Sequence, residues 1–235
     1  MAQFSLIGDN SKEGGQWIMD PIIYVLLTIA YVILFLLGIR TAMQHSWYSI
    51  GNILLIVILA LTYDNGILAL GKYIGEGELL RGLNEARYWL HALVTPLLIL
   101  LAWHFLINAN VQWAKRKLVL GLVLAFTLGL IIIEIITVTW DITLKPTWVY
   151  DVLSYKKVGD AYPIMIIGVS ITLLITSILV WWKQKWPWYF TGVLLMGIVP
   201  MIHIFHTGAL SNIGEFILIV ALLTTRAYQG KRKNS

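Results

Sequence analysis

The chain has 235 residues, of which 59% are hydrophobic and only 12% are charged. Soluble domains are about half apolar and a quarter charged, so this composition excludes an ordinary soluble protein and indicates an integral membrane protein. The absence of cysteine excludes disulfides, Fe–S ligation and thiol nucleophiles. The net charge of +5 favours anionic lipids as partners over nucleic acid, because no basic arm or aromatic stacking platform lies outside the apolar segments.

Apolar segments dominate the chain from beginning to end. Residues 1–16 are polar and lack the features of a secretory signal, so we expect the first apolar segment to be an uncleaved anchor. A helix crosses a bilayer with about 20 apolar residues. Seven segments have this length: 18–39, 47–71, 84–108, 117–141, 161–182, 187–206 and 208–226. Trp and Tyr collect at the ends of these segments, as an interfacial aromatic belt requires.

These segments predict an all-α, polytopic protein of the cell membrane, with one domain over residues 1–235 and no soluble domain. The longest connection, residues 144–160, is expected to lie on the membrane surface. If the amino terminus lies outside, ten of the 17 Lys and Arg residues fall on the cytoplasmic side. Cytoplasmic loops are enriched in Lys and Arg, so we predict an external amino terminus and a cytoplasmic carboxyl terminus. All twelve acidic residues then lie in the outer half, so the polar chemistry is expected to face outward.

One acidic or imidazole group on each of four predicted helices lies at a similar depth. The four residues lie about seven positions from the outer end of their segments, which is roughly 10 Å at 1.5 Å per residue. They are Asp64, His91, Glu134 and Glu215. Ionisable groups are costly within a bilayer and usually mark a functional site. We therefore predict a buried polar cluster near the outer leaflet.

Helical spacing extends this cluster to further residues. Arg87 and His91 are four residues apart, and two pairs are three residues apart: Asn212 with Glu215, and His203 with His206. Such spacings place side chains on one helix face. Asn65, Asn84 and Tyr88 are further candidates for substrate binding, together with Arg87 and Asn212. Pro96 and Pro200 each remove a backbone donor and are expected to kink their helices where a cavity could open.

The cluster favours a membrane enzyme that acts on a lipid or isoprenoid by acid–base chemistry. A carboxylic acid in apolar surroundings can keep its proton and donate it, so Asp64, Glu134 and Glu215 are the candidate catalytic residues. Arg87 would bind an anionic headgroup or hold one carboxylate ionised. In size and span count the chain is similar to small membrane-bound terpene cyclases, an architectural analogy that implies a cyclase, hydratase-type lyase or isomerase.

Three alternatives remain open from the sequence. His91, His203 and His206, with one of the acids, could bind zinc in a hydrolase, although no cofactor is firmly implied. Buried acids and histidines also relay protons in transporters, but the inner half of every predicted span lacks an acid. A binding or structural membrane subunit is the third alternative, with lipid or pigment as ligand. A retinal protein is excluded because the last span has no lysine for the Schiff base.

Overall fold

The computed structural model describes residues 20–45, 47–159, 162–202 and 207–234. Its helices are α1 (Asp20–His45), α2 (Ile53–Ile74), α3 (Glu78–Val94), α4 (Leu97–Asn108), α5 (Lys117–Glu134), α6 (Ile164–Gln184), α7 (Trp188–Ile198) and α8 (Leu210–Asn234). Short 3-10 turns at Ile50–Asn52, Gln112–Lys115 and Val199–Met201 and a π-helical turn at Ile135–Thr139 extend or connect them. The described chain is thus mainly helical, as predicted.

Six helical segments in the described ranges are long and apolar enough to cross a membrane. They are Asp20–Gln44, Ile50–Ile74, Glu78–Asn108, Lys117–Thr139, Ile164–Gln184 and Leu210–Arg232. This finding agrees with a multi-pass membrane protein. The described part of the segment predicted as the sixth span holds a shorter apolar helix, Trp188–Met201, so the predicted count of seven membrane-length helices is not confirmed by the described residues.

The residues before and after α7 nevertheless lie at opposite ends of the bundle. Before α7, the Trp186 indole donates a hydrogen bond of 3.0 Å to Thr225 Oγ1, in the second half of α8. After α7, the Gly208 amide donates a hydrogen bond of 2.7 Å to Asp20 Oδ2, at the start of α1. The chain therefore passes from one end of the bundle to the other between Trp186 and Gly208.

The third crossing is broken at Pro96, as its sequence predicts. Proline has no backbone N–H and cannot continue the hydrogen-bond ladder of a helix. Helix α3 ends at Val94 and α4 begins at Leu97. The Thr95 amide still donates to the His91 carbonyl at 3.1 Å. Pro200 likewise lies in the 3-10 turn that ends α7. Both prolines interrupt their helices on the side where the predicted polar cluster lies.

The connection between α5 and α6 forms a β-hairpin, which the all-α prediction did not include. Strands β1 (Leu144–Val149) and β2 (Val152–Lys157) pair antiparallel, from Leu144 opposite Lys157 to Val149 opposite Val152. The two turn residues, Tyr150 and Asp151, have φ of 47° and 65°. Two successive residues with positive φ give a tight turn whose twist matches that of the strands.

The hairpin docks on the ends of α2 and α3 through buried side chains and hydrogen bonds. Leu153 and Tyr155 pack with Ile67 and Leu80 in a small apolar cluster. The Tyr155 hydroxyl accepts a hydrogen bond of 3.0 Å from the Gly77 amide. On α3, the Tyr88 hydroxyl accepts one of 3.0 Å from the Lys157 amide. The hairpin is therefore a packed part of the bundle rather than a loose surface loop.

Gly71 allows this close packing, and replacing it with alanine is expected to weaken the docking of the hairpin. A Cβ at Gly71 would lie 2.0 Å from the Leu153 carbonyl oxygen, so strand β2 would have to shift. Overpacking of this kind costs about 1–3 kcal/mol. We expect a lower Tm in detergent and faster tryptic cleavage in the hairpin. Gly66→Ala is the control, because a Cβ there meets only Thr28 Cγ2 at 3.8 Å; equal effects of both substitutions would contradict the prediction.

Candidate functional site

A cavity of about 290 Å³ lies between α2, α3, α4, α6, α7 and α8. Its walls are mostly apolar and include Leu61, Leu90, Val94, Val169, Leu173 and Leu218. Polar groups line one part of it: Asp64, Arg87, His91, Thr95, Ser170, Asn212 and Glu215. An apolar cavity with a few convergent polar groups is the usual form of a small-molecule site.

The centre of the polar part is an ion pair between α2 and α3. Arg87 Nε donates to Asp64 Oδ1 at 2.8 Å, and Arg87 Nη1 donates to Asn84 Oδ1 at 2.8 Å. The second carboxylate oxygen of Asp64 accepts a hydrogen bond of 3.3 Å from Asn212 Nδ2 on α8. Both side chains are largely enclosed, with exposed fractions of 17% for Arg87 and 26% for Asp64. The charge of Arg87 is therefore already matched by Asp64.

Glu215 faces the same cavity without such a partner. It lies one helical turn beyond Asn212 on α8, as the spacing of these residues predicts. Within the described ranges, its carboxyl group has no hydrogen bond or ion pair. His91, on α3, also lines the cavity, and its Nδ1 lies 3.2 Å from Thr95 Oγ1. The cavity thus combines a neutralised ion pair, an imidazole and a carboxyl group that is available to a ligand.

The predicted substrate-binding residues divide into two groups. Arg87 and Asn212 line the cavity, and Asn84 lies behind them, fully buried, where it holds Arg87. Asn65 and Tyr88 do not line the cavity. Asn65 is buried on α2, where its Nδ2 donates to the Leu61 carbonyl at 2.8 Å, while its Oδ1 has no partner. The contact of Tyr88 with the hairpin gives it a role in the fold.

Glu134 does not line the cavity either, although its predicted depth matches that of Asp64 and Glu215. It is the last residue of α5, is 7% exposed, and precedes the π-helical turn. Lys157 of the hairpin lies within electrostatic range of its carboxyl group and donates to the Thr137 carbonyl at 2.9 Å. The structure therefore separates Glu134 from the other two candidate acids.

The predicted metal ligands cannot be compared as a set, because His203 and His206 lie outside the described residues. Among the residues that the structure does describe, no group of three or more His, Cys, Asp or Glu side chains could hold a metal ion. His91 therefore has no described set of metal ligands around it. Zinc binding stays a prediction that depends on His203 and His206.

Ser170 is a cavity residue that the sequence analysis did not include. It lies on α6, which otherwise contributes apolar side chains such as Ile166 and Leu173 to the cavity. The signal in the sequence is a serine within the apolar run IMIIGVSITLL, which also holds Thr172. Such a residue more often bonds to its own helix backbone, so only the packing of α6 against α4 and α7, which places Ser170 at the cavity, identifies it as part of the site.

The arrangement can donate or accept a proton at one wall and hold an apolar molecule against the others. The ion pair and its two asparagines fix the polar wall, while leucines and valines form the apolar walls. No family model, curated protein or solved structure matches the chain.

Proposed function

We propose that this chain is an integral enzyme of the cell membrane that acts on a lipid or isoprenoid by acid–base chemistry in the cavity. The observation that carries the proposal is an unpaired carboxyl group, Glu215, beside a neutralised Asp64–Arg87 pair in an apolar-walled cavity. Burying an unpaired ionised carboxylate costs far more than burying the neutral acid. Glu215 is therefore assigned the role of proton donor, and membrane lipids are the source of the substrate.

The roles of the polar residues follow from their contacts. The Glu215 proton adds to a carbon–carbon double bond of the substrate and leaves a carbocation. Loss of a proton from a neighbouring carbon returns that proton to Glu215, so the net reaction is an isomerisation or cyclisation without a co-reactant. His91, hydrogen-bonded to Thr95, lines the same cavity as a further polar group that can orient the substrate. Asp64 and Arg87 present a fixed dipole that orients the substrate.

The charge balance of the site favours an uncharged substrate. The sequence analysis assigned Arg87 to an anionic headgroup or to a carboxylate partner, and its contacts with Asp64 and Asn84 support the second role. An anionic group would have to compete with the Asp64 carboxylate for Arg87. Neutral lipids, isoprenoid alcohols or isoprenoid hydrocarbons therefore fit better than their phosphates.

The cavity volume limits how much of the substrate is enclosed. About 290 Å³ is at the lower end of the range of roughly 300–1,000 Å³ that is typical of small-molecule sites. One end of a lipid-sized molecule fits, and its remaining chain would extend between the helices.

We further propose seven crossings with an external amino terminus. This topology rests on the Lys and Arg distribution and on the passage of the chain between Trp186 and Gly208.

Mass spectrometry of the protein purified in mild detergent tests the proposal. We expect a co-purifying neutral lipid or isoprenoid that is lost in Ala60→Phe, because Ala60 lines the cavity and phenylalanine would fill it. Ala125→Phe is the matched control, since Ala125 is exposed on the outer side of α5.

Retention of the same molecule by Ala60→Phe would mean that it binds elsewhere and would contradict the proposal. An empty wild-type protein that supports Glu215-dependent proton flux in liposomes would instead favour the transport alternative. Zinc in stoichiometric amount in the same sample would favour the hydrolase.

A further inference from the structure

A second polar site lies at the opposite end of the bundle from the hairpin, around Arg226. Arg226 is on α8 and is only 7% exposed. One of its terminal nitrogens, Nη2, donates to the Asn52 side-chain oxygen, but the other, Nη1, is buried without any hydrogen-bond partner. None of the ion pairs formed by the described residues involves Arg226. A buried guanidinium with an open donor and no counter-charge is costly.

The surroundings of Arg226 add positive potential. A Cβ at Gly51 would lie 3.0 Å from Arg226 Nε, so the guanidinium lies directly against the first turn of the helix that runs from Ile50 to Ile74. The amino-terminal end of a helix carries a partial positive charge and favours anions. The Arg226 guanidinium and the amino-terminal end of this helix are both positive and therefore repel each other. A bound anion would remove this repulsion.

The neighbouring titratable groups supply no compensating charge. His104 on α4 lies at the same turn, since its Nε2 is 3.4 Å from Ser49 Oγ and 3.1 Å from Asn108 Nδ2. The exposed charged residues of this end are basic and include Arg40, Lys115, Lys117 and Lys183. The described acids lie in the cavity or toward the hairpin end of the helices. An anion from outside the chain is therefore the missing partner.

We propose that Arg226 and the turn Ser49–Asn52 bind a phosphate group, as carried by the headgroup of an anionic phospholipid. The apolar segment of α8 ends at Arg232. With a rise of 1.5 Å per residue, Arg226 lies about 9 Å along the helix from this end. The ring of Trp186 stacks on that of Tyr228 at 4.2 Å between centroids, at the same level of α8. Aromatic pairs of this kind mark the headgroup region of a membrane.

The binding mode follows from the open donor of the guanidinium. A phosphate oxygen would accept a charge-assisted hydrogen bond from Arg226 Nη1, while Nη2 keeps its bond to Asn52. Because Nη1 is enclosed, side chains at the edge of this site must move aside as the phosphate enters. The site is independent of the cavity at Glu215, so it would anchor the protein to a lipid rather than take part in the reaction.

Thermal unfolding in detergent with added lipid tests this site. We expect phosphatidylglycerol to raise the Tm of the wild-type protein by several degrees, whereas phosphatidylcholine does not. Arg226→Met should lose this selective rise. Arg40→Met is the control, because Arg40 is an exposed arginine at the same end, on α1, and it should keep the rise. Inorganic phosphate, added alone, distinguishes the sources: an equal rise would assign the site to a free phosphate rather than to a headgroup.

Two results would overturn the proposal. One is a wild-type protein whose Tm responds equally to both lipids and not to phosphate. The other is an Arg226→Met protein that keeps the selective rise. If Arg226→Met cannot be purified, native mass spectrometry of the wild-type protein and of Arg226→Lys tests the proposal instead. The proposal requires one retained anionic lipid per wild-type chain and weaker retention in Arg226→Lys, because lysine cannot keep the bond to Asn52 and reach the phosphate together.

Discussion

Replacing Glu215 with glutamine is expected to lower the turnover of the co-purifying lipid by about 10²–10⁴-fold, the usual contribution of a positioned proton donor. Glutamine has the same shape but no proton of comparable acidity. The bound lipid should be retained, because the apolar walls of the cavity are unchanged. The Tm should also change little, since Glu215 has no hydrogen bond or ion pair with the rest of the described chain. Turnover measured in deuterated water would show Glu215-dependent deuterium incorporation into the product.

Two further variants make this result specific. Glu76→Gln removes an exposed acid between α2 and α3 and should leave turnover unchanged. Glu215→Asp keeps the acid but withdraws it from the substrate, so it should retain part of the activity. An unchanged rate in Glu215→Gln would remove Glu215 from the mechanism, and a large loss of stability would make it a structural residue.

Removing Arg87 is expected to have the largest effect on stability. Arg87→Ala leaves the Asp64 carboxylate and the Asn84 side chain in the interior without their donor. Breaking a fully buried pair on one side costs about 3–5 kcal/mol, which is the upper limit for this partly exposed pair. Arg81→Ala is the matched control, because Arg81 pairs with Glu78 at 3.3 Å on the surface of the same helix. Surface pairs contribute about 0–1 kcal/mol, so the two arginines of α3 should differ clearly in Tm.

The double variant Asp64→Asn/Arg87→Ala distinguishes a charge effect from a packing effect. With both charges removed, part of the lost stability should return relative to Arg87→Ala alone, because no ionised group is left unpaired. Additive losses in the double variant would show that the side chains stabilise the bundle by packing alone. In that case the polar wall of the cavity would not depend on the ion pair.

The sequence predicts the helical architecture and part of the site, because depth along a helix can be counted. Asp64, His91 and Glu215 were placed at one depth, and the structure brings them into one cavity. Glu134 has the same predicted depth but is outside the cavity, since α5 packs mainly on α4 and α6 rather than on α2 and α8. Depth fixes a position along one axis only. The order and rotation of the helices depend on contacts between distant segments, which a single sequence does not reveal.

The residues of the hairpin between α5 and α6 lack the usual sequence signals of strands and turns, so the hairpin could not be predicted. Pro146 cannot donate to a strand ladder and is unfavourable within a strand, yet it lies in β1. The turn pair Tyr150–Asp151 lacks the glycine that usually marks such a hairpin. In β2, residues Val152–Tyr155 are all buried, so the alternation of apolar and polar residues that indicates a strand is missing. Packing against Gly71 and Tyr88 decides the conformation instead.

The separation of the site residues along the chain has a consequence for biogenesis. Asp64 and Arg87 are 23 residues apart on consecutive crossings, whereas Asp64 and Asn212 are 148 residues apart. The second and third crossings can therefore enter the bilayer together with their charges mutually neutralised, early in synthesis. Glu215 arrives only with α8, after the other helices that line the cavity. The proposed proton donor thus enters the bundle after the two charges of the polar wall have come together.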